Sequence, residues 1–179
     1  MVSRFSPQQG PPGNQSTAAF EIDASKVLRL GYKMKGGEAA RIIRVELSSA
    51  VKQSVGTARD KANAKVNKRT GKLQKSAQTR VRAFSNRVEG VVTWTARSDK
   101  GFPYPIVIES GRKAFGPKTA PFLVFKTRDG KWIRTKWVQA WPGIQFASKG
   151  LQETEPQIIG FMAAARDRIA TRVEAVVVS

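Results

Sequence analysis

Cysteine and histidine are both absent from this chain of 179 residues. The absence of cysteine excludes a disulfide, a zinc site built on thiolates and a cysteine nucleophile. The absence of histidine removes the residue that most often serves as general base and metal ligand near neutral pH. The 13 acidic residues are scattered along the chain, without a two-Asp motif. A carboxylate-only or Ser–Lys enzyme is the class left open, but the sequence predicts a non-enzymatic protein without metal or cofactor.

Long hydrophobic runs and nucleotide-binding motifs are missing as well. No stretch approaches the roughly 18 apolar residues of a membrane span, and the N-terminus has no apolar signal core. We therefore expect a protein made in the cytoplasm, with no membrane partner. The chain contains no P-loop and no glycine-rich dinucleotide turn. Its length suits one domain, and a hydrophobic content of 40% is enough to bury a core.

Negative charge is scarce, so the chain is strongly basic. It has 32 Lys and Arg residues and a formal net charge of +19, which attracts nucleic acid, an anionic membrane or an acidic protein. Residues 26–90 hold 17 basic and 4 acidic residues, residues 97–137 hold 10 and 3, and the remainder nets −1. The positive charge thus belongs to the folded part rather than to a detachable tail. The alternative is a basic chain that packs against acidic neighbours in an assembly.

The first part of the chain predicts a flexible arm. Residues 1–19 are rich in Pro, Gly, Gln and Ser, a composition typical of disorder. The rest, residues 20–179, is expected to form a single α+β domain. It opens with a short strand at 20–22 and a brief helix, capped by Asp23 or Ser25, that stops at Gly36 and Gly37.

A long amphipathic helix is predicted over residues 38–66. Its apolar residues recur at steps of three or four: Ile43, Leu47, Val51, Val55, Ala58, Ala62 and Val66. The opposite face is basic: Arg41, Arg44, Lys52, Arg59 and Lys65. One side is therefore expected to pack on the protein and the other to face solvent or an anionic partner.

An antiparallel sheet of about four to five strands is predicted after that helix. From Lys72 the apolar period changes to two, and a turn at Ser85 and Asn86 leads to a β-branched partner at 88–96. Three more strands are predicted at 104–109, 122–127 and 132–137, with the last two joined at Asp129-Gly130. The basic segment 111–119, GRKAFGPKT, is predicted as a loop between the third and fourth strands.

The chain ends in a second clear helix. Thr154 and Gln157 form a capping-box pattern with Pro156 in the first turn. An apolar stripe follows: Ile158, Met162, Ala165, Ile169, Val173 and Val176. The fold class is therefore α+β, with this C-terminal helix packed on the sheet. Its last residues are apolar enough to be buried against another subunit.

The tryptophans at 94, 132, 137 and 141 allow two interpretations. They could stack on the bases of single-stranded nucleic acid, or they could lie in the core or at a subunit interface. At strand spacing we favour the second, with Trp132, Trp137 and Trp141 as candidate interface residues.

The middle of the chain resembles a phage family. The stretch KRTGKLQKSAQTRV at 68–81, YPIVIESGRK at 104–113 and APFLVF at 120–125 are similar in order and spacing to the tail-completion or neck proteins of long-tailed bacteriophages. The motif positions are Thr70, Gly71, Leu73, Ser76, Tyr104, Glu109 and Gly111. The resemblance covers residues 38–176, apart from an extra hairpin and linker at about 122–150. Glu109 is predicted to pair with Arg112 and Lys113 of the basic loop.

The resemblance implies a structural virion protein of the head-to-tail connector, made in the host cytoplasm. Tail completion, tail terminator and head-side stopper all remain open. Relatives form rings, often hexamers, between the portal-side adaptor or stopper and the tail terminator or tail tube, around packaged double-stranded DNA. Arg112, Lys113 and Lys118 would then lie at the DNA channel or at an inter-ring contact. The alternative is a sequence-independent nucleic-acid-binding protein that uses its basic folded face.

Overall fold

The computed structural model describes residues 3–6, 16–33, 37–66, 71–99, 101–127 and 129–178. The architecture is α+β, as predicted. In chain order the elements are β1 (Ser3–Ser6), β2 (Ser16–Asp23), α1 (Ser25–Lys33), α2 (Glu38–Ala64), α3 (Lys72–Lys75), β3 (Ala77–Ala83), β4 (Arg87–Trp94), α4 (Tyr104–Ser110), β5 (Leu123–Lys126), β6 (Trp132–Thr135) and α5 (Phe146–Val178).

The main sheet has four antiparallel strands in the order β1-β2-β4-β3. Strand β4 alternates between buried and half-buried residues, because successive side chains of a strand point to opposite faces. Its buried side chains Val88, Val92 and Trp94 belong to the core, together with residues of α2. The other face of β4 is left partly open to solvent.

Helix α2 confirms the long amphipathic helix. It ends two residues before the predicted boundary, and the apolar residues predicted for its packed face are all buried. Helix α1 confirms the brief helix before it, and the Asp23 carboxylate accepts a hydrogen bond from the Ser25 amide at 2.9 Å. The predicted stop at Gly36 lies outside the described residues.

Helix α5 runs antiparallel to α2, since its first turns lie beside the end of α2 and its last turns beside the start. A Cβ on Gly150 would lie 2.6 Å from the Ala62 amide nitrogen, so the two backbones approach closely there. The predicted start at Thr154 is wrong, because α5 begins eight residues earlier. Thr154 is buried within the helix, where its hydroxyl donates to the Gly150 carbonyl at 2.7 Å, and Pro156 is interior.

Two strand predictions are corrected by the structure: one strand begins later than predicted, and the other is a helix. Lys72–Lys75 forms the short helix α3, so β3 begins only at Ala77. Tyr104–Ser110 is helix α4 rather than a strand. Its β-branched residues favour a strand, but Pro105 lies in the first turn, where proline is tolerated, and is buried there. Tertiary packing overrides local propensity at this point.

The last two predicted strands exist, but they form a separate hairpin rather than part of the main sheet. Strands β5 and β6 pair only with each other among the described strands. Gly130 in their turn has φ +80°, which a glycine adopts without strain. Part of the predicted flexible arm, residues 1–19, forms strands: β1 lies wholly within it, and β2 begins within it at Ser16. The flexibility of the arm stays a prediction, and residues 7–15 lie outside the described part.

Candidate nucleic-acid and subunit interfaces

The first cluster of motif residues forms the connection from α2 to β3. Gly71 has φ +66° at the start of α3, Leu73 is buried in the core, and the Ser76 hydroxyl donates to the Leu73 carbonyl at 2.8 Å. These residues turn the chain between two elements. Thr70 lies outside the described residues.

Glu109 caps the long C-terminal helix. Its carboxylate accepts hydrogen bonds from the amides of Ala147 (2.8 Å) and Ser148 (3.1 Å) and from the Ser148 hydroxyl (2.5 Å). The first amides of a helix have no partner within it, and a carboxylate there also complements the helix dipole. The predicted pairing of Glu109 with Arg112 and Lys113 is therefore wrong. Nothing in the local sequence indicates this role, since 38 residues separate the acid from the amide of Ala147.

Gly111 allows the segment 111–119 to approach closely the part of the chain that precedes α5. It has φ +80°, and a Cβ there would lie 2.0 Å from the Trp141 carbonyl oxygen. Arg112 and Trp141 exchange backbone hydrogen bonds of 2.7 and 2.9 Å, and Phe115 and Val138 exchange bonds of 3.0 and 2.9 Å. These backbone hydrogen bonds restrain one side of the predicted loop. The loop follows helix α4 rather than a third strand.

The three cations predicted to contact DNA or a neighbouring ring lie on this restrained segment. The side chains of Arg112, Lys113 and Lys118 are all exposed. The Arg112 guanidinium lies 5.5 Å from the centre of the Phe115 ring, a distance at which a cation is attracted to the ring face. The arrangement presents positive charge to solvent on a restrained backbone, as an anionic partner would need.

Tyr104, the first residue of α4, packs against the core, where burial raises the pKa of its phenol above 10. Tyr104 therefore also lies at a junction, where the chain enters α4.

The tryptophans separate into two groups. Trp94 is fully buried, packs edge-on against Phe146 at 5.0 Å between ring centres, and donates from Nε1 to the Asn63 side chain at 2.9 Å. Trp132 and Trp137 are 70% and 60% exposed, and Trp141 is half-buried. The core interpretation is confirmed for Trp94. The subunit-interface role of Trp132, Trp137 and Trp141 stays a prediction.

The β5–β6 hairpin presents two different faces, because residues paired across the strands share a face. We call one the basic face; it consists of Val124, Lys126, Trp132 and Arg134, together with Phe122 and Lys136, which the cation–ring contacts of Arg134 and Lys136 place on the same side. We call the other the apolar face; it consists of Leu123, Phe125, Ile133 and Thr135. On the basic face Arg134 and Lys136 lie 4.4 and 5.8 Å from the centre of the Phe122 ring, and Lys126 lies 5.9 Å from that of Trp132.

Two carboxylates of the helical layer, Glu46 and Glu153, form ion pairs between α2 and α5. Glu46 on α2 accepts from Arg168 Nε at 2.7 Å and from Arg172 at 2.6 Å, and these hydrogen bonds lower the pKa of Glu46 below its ordinary 4.5. Lys65 pairs with Glu153 in the same layer. The described residues contain no group of three acidic side chains that could hold a metal ion. Within the same ranges, no helix is both long and apolar enough to cross a membrane.

Comparison with known proteins gives no match: no family model, no curated protein and no solved structure is significantly similar to this chain. The phage resemblance therefore rests on the motif residues themselves.

Proposed function

We propose that this protein is a non-enzymatic structural subunit of the head-to-tail connector of a long-tailed bacteriophage, acting as a tail-completion ring. The observation that carries the proposal is the ordered set of motifs from 70 to 111. Each motif residue within the described part lies at a junction between elements, as expected of a fold signature rather than of an active site. The α+β architecture that accompanies those motifs also supports assignment to a connector subunit.

Two exposed features support assembly into a ring. Strand β3 is an edge of the main sheet, and an uncovered edge invites pairing with another chain. The apolar face of the hairpin exposes Phe125 and Ile133, at 42% and 38%. A closed homo-oligomer, a hexamer by the resemblance, would cover both features by repeating one contact between neighbours.

The ring would lie at the neck of the virion, after assembly in the host cytoplasm. Its partners would be the adaptor or stopper on the head side and the tail terminator or tail tube on the other. Arg112, Lys113 and Lys118 would face packaged DNA or an acidic ring surface. Such contacts are electrostatic and independent of sequence.

A reconstruction of the intact particle tests the ring directly. We expect several symmetry-related copies at the head–tail junction. A single copy, or a position away from the junction, would refute the proposal. A monomer in dilute solution would be compatible with it, because assembly can require the neighbouring ring.

The cation contact has its own test. Changing Arg112, Lys113 and Lys118 to Gln should leave folding intact, because exposed charges add little stability, but weaken head–tail joining or DNA retention. Changing Lys26, Arg29 and Lys33 on α1 to Gln removes the same charge elsewhere and serves as the control. A normal yield of infectious particles from the first variant would exclude the contact.

A second candidate is a free, sequence-independent nucleic-acid-binding protein. The exposed Trp132 amid the cations of the hairpin favours it. The genes beside this one distinguish the two functions: capsid and tail genes support the neck, and their absence supports the alternative.

A further inference from the structure

The β5–β6 hairpin carries exposed aromatic and basic side chains that the packing of the domain does not use. None of its described residues belongs to the hydrophobic core. Residues 121–137 hold five basic residues and one acidic residue. An isolated two-stranded hairpin is only marginally stable in water. Exposed aromatic and basic side chains on such a hairpin are therefore better explained by binding to a ligand than by folding.

We propose that the basic face of the hairpin is a nucleic-acid-binding surface. On it, Lys126, Arg134 and Lys136 contact phosphates and Trp132 stacks on an unpaired base. The proposal goes beyond the connector function, because it assigns a ligand to the hairpin whether or not the protein forms a ring.

Ring contacts place the cations of the hairpin on one face. The guanidinium of Arg134 lies over Phe122 at 4.4 Å from the ring centre, and Lys136 and Lys126 lie within 6 Å of the rings of Phe122 and Trp132. Contacts of this kind hold flexible cations on one side of the hairpin without neutralising them. The face therefore offers a row of positive charges to a polyanion.

Trp132 on the same face is largely exposed to solvent. Its side chain is 70% exposed, although burying an indole is strongly favourable. Aromatic rings set among cations are the usual means of binding single-stranded nucleic acid, because every base has a flat face that can stack.

An anionic bilayer fits the hairpin less well. Membrane-surface elements bury their apolar face and leave the charged face towards water and headgroups. Here that orientation would bury Phe125 and Ile133 but keep Trp132 on the water side. An acidic protein would match the cations, but its carboxylates would not stack on the indole. A nucleic acid is the ligand that uses both features.

The test measures binding of the full chain to labelled oligo-deoxythymidine and to a duplex of the same length by fluorescence anisotropy, over a range of salt concentrations. The charge variant changes Lys126, Arg134 and Lys136 to Gln. Its control changes Arg41, Lys52 and Lys61, exposed on α2, to Gln, so both lose three charges. We expect the charge variant to lower the salt slope on single strands by roughly 2, at about 0.7 for each phosphate contact. An equal loss in the control would mean that only net charge matters, and would overturn the proposal.

A second pair of variants tests stacking. Trp132→Thr keeps high strand propensity but removes the ring, and should weaken single-strand binding about tenfold. Trp132→Phe keeps a ring and should retain most of the binding, while neither change should affect the duplex much. Unchanged single-strand binding by Trp132→Thr, or equal losses on both nucleic acids, would refute stacking.

Vesicles of equal parts phosphatidylglycerol and phosphatidylcholine complete the test. Binding to vesicles without binding to either oligonucleotide would replace this proposal with a membrane surface. The outcome is separable from the connector function, because a chain that binds neither oligonucleotide could still join head and tail through its other contacts.

Discussion

The layer formed by α2, α5 and the main sheet differs from the segment 111–145 in where it places its large apolar side chains. In the layer, Trp94, Phe146 and Val51 are fully buried. In the segment, Trp132, Trp137 and other large apolar side chains stand in solvent. Burial therefore stabilises the layer, whereas backbone pairing such as that between Arg112 and Trp141 holds the segment. The layer therefore maintains the fold, whereas the segment leaves large apolar side chains exposed to solvent.

The two regions also differ in how their charges are balanced. In the layer, Glu46 and Glu153 form ion pairs that link α2 to α5. Residues 111–145 hold eight basic residues and one acidic residue, Asp129. Positive charge in the segment is thus largely uncompensated, which agrees with a role in contacts rather than in folding.

The largest expected effect comes from matched substitutions of two tryptophans. Trp94→Ala should lower the free energy of unfolding by about 3–5 kcal/mol, because it empties a packed site beside Phe146. Trp132→Ala should change it by less than about 0.5 kcal/mol. Urea unfolding followed by circular dichroism measures both. Similar losses of unfolding free energy in the two variants would contradict the difference between the layer and the segment.

The close approach of α2 and α5 gives the next largest effect. Gly150→Ala should destabilise by about 1–3 kcal/mol through overpacking, since the new Cβ would meet the Ala62 backbone. Gly160→Ala on the same helix meets nothing within 4 Å and should stabilise by about 0.5–1 kcal/mol, since alanine is the better helix former. Thermal unfolding of the two variants compares them. A stabilising Gly150→Ala would mean that the helices do not touch there.

The cap on α5 should contribute an intermediate amount. Glu109→Ala leaves the amides of Ala147 and Ser148 without their acceptor, and should cost about 1–2 kcal/mol. Glu155→Ala, exposed on the same helix, is the control and should be close to neutral. Amide hydrogen exchange should show faster opening of the first turn of α5 in the Glu109 variant alone. Unchanged protection in that turn would exclude the cap.

The smallest effect is a pH dependence from the link between α2 and α5. The pKa of Glu46 is lowered in the folded protein by hydrogen bonds from Arg168 and Arg172. Its stabilising contribution is therefore complete above the ordinary pKa of 4.5 and is lost as the pH falls through the lower folded value. Glu46→Gln should melt a few degrees below the wild type at neutral pH, and the gap should narrow in acid. Melting curves across this range measure it; a gap that widens in acid would contradict the assignment.

Sequence periodicity predicted the layer well and the connections poorly. The three-and-four spacing from Ile43 to Val66 located α2 to within two residues, because a helix that packs on one side must repeat its apolar residues at the helical period. The β-branched residues at 88–96 correctly indicated β4, and turn chemistry correctly indicated the Asp129-Gly130 turn. Residue pattern failed at 104–109, where an apolar β-branched run is compatible with a strand or a short helix, and only packing distinguishes the two.

The candidate site divides in the same way. Sequence alone located the excess charge, the motif positions and the turn of the hairpin, because charge counts and turn chemistry are local properties. The tertiary structure decided that Glu109 caps α5, that Gly111 meets Trp141, and that Trp94 is buried while Trp132 is exposed. Each of these depends on which distant backbone or side chain comes within a few ångströms, and that distance is fixed only when helices and strands pack together.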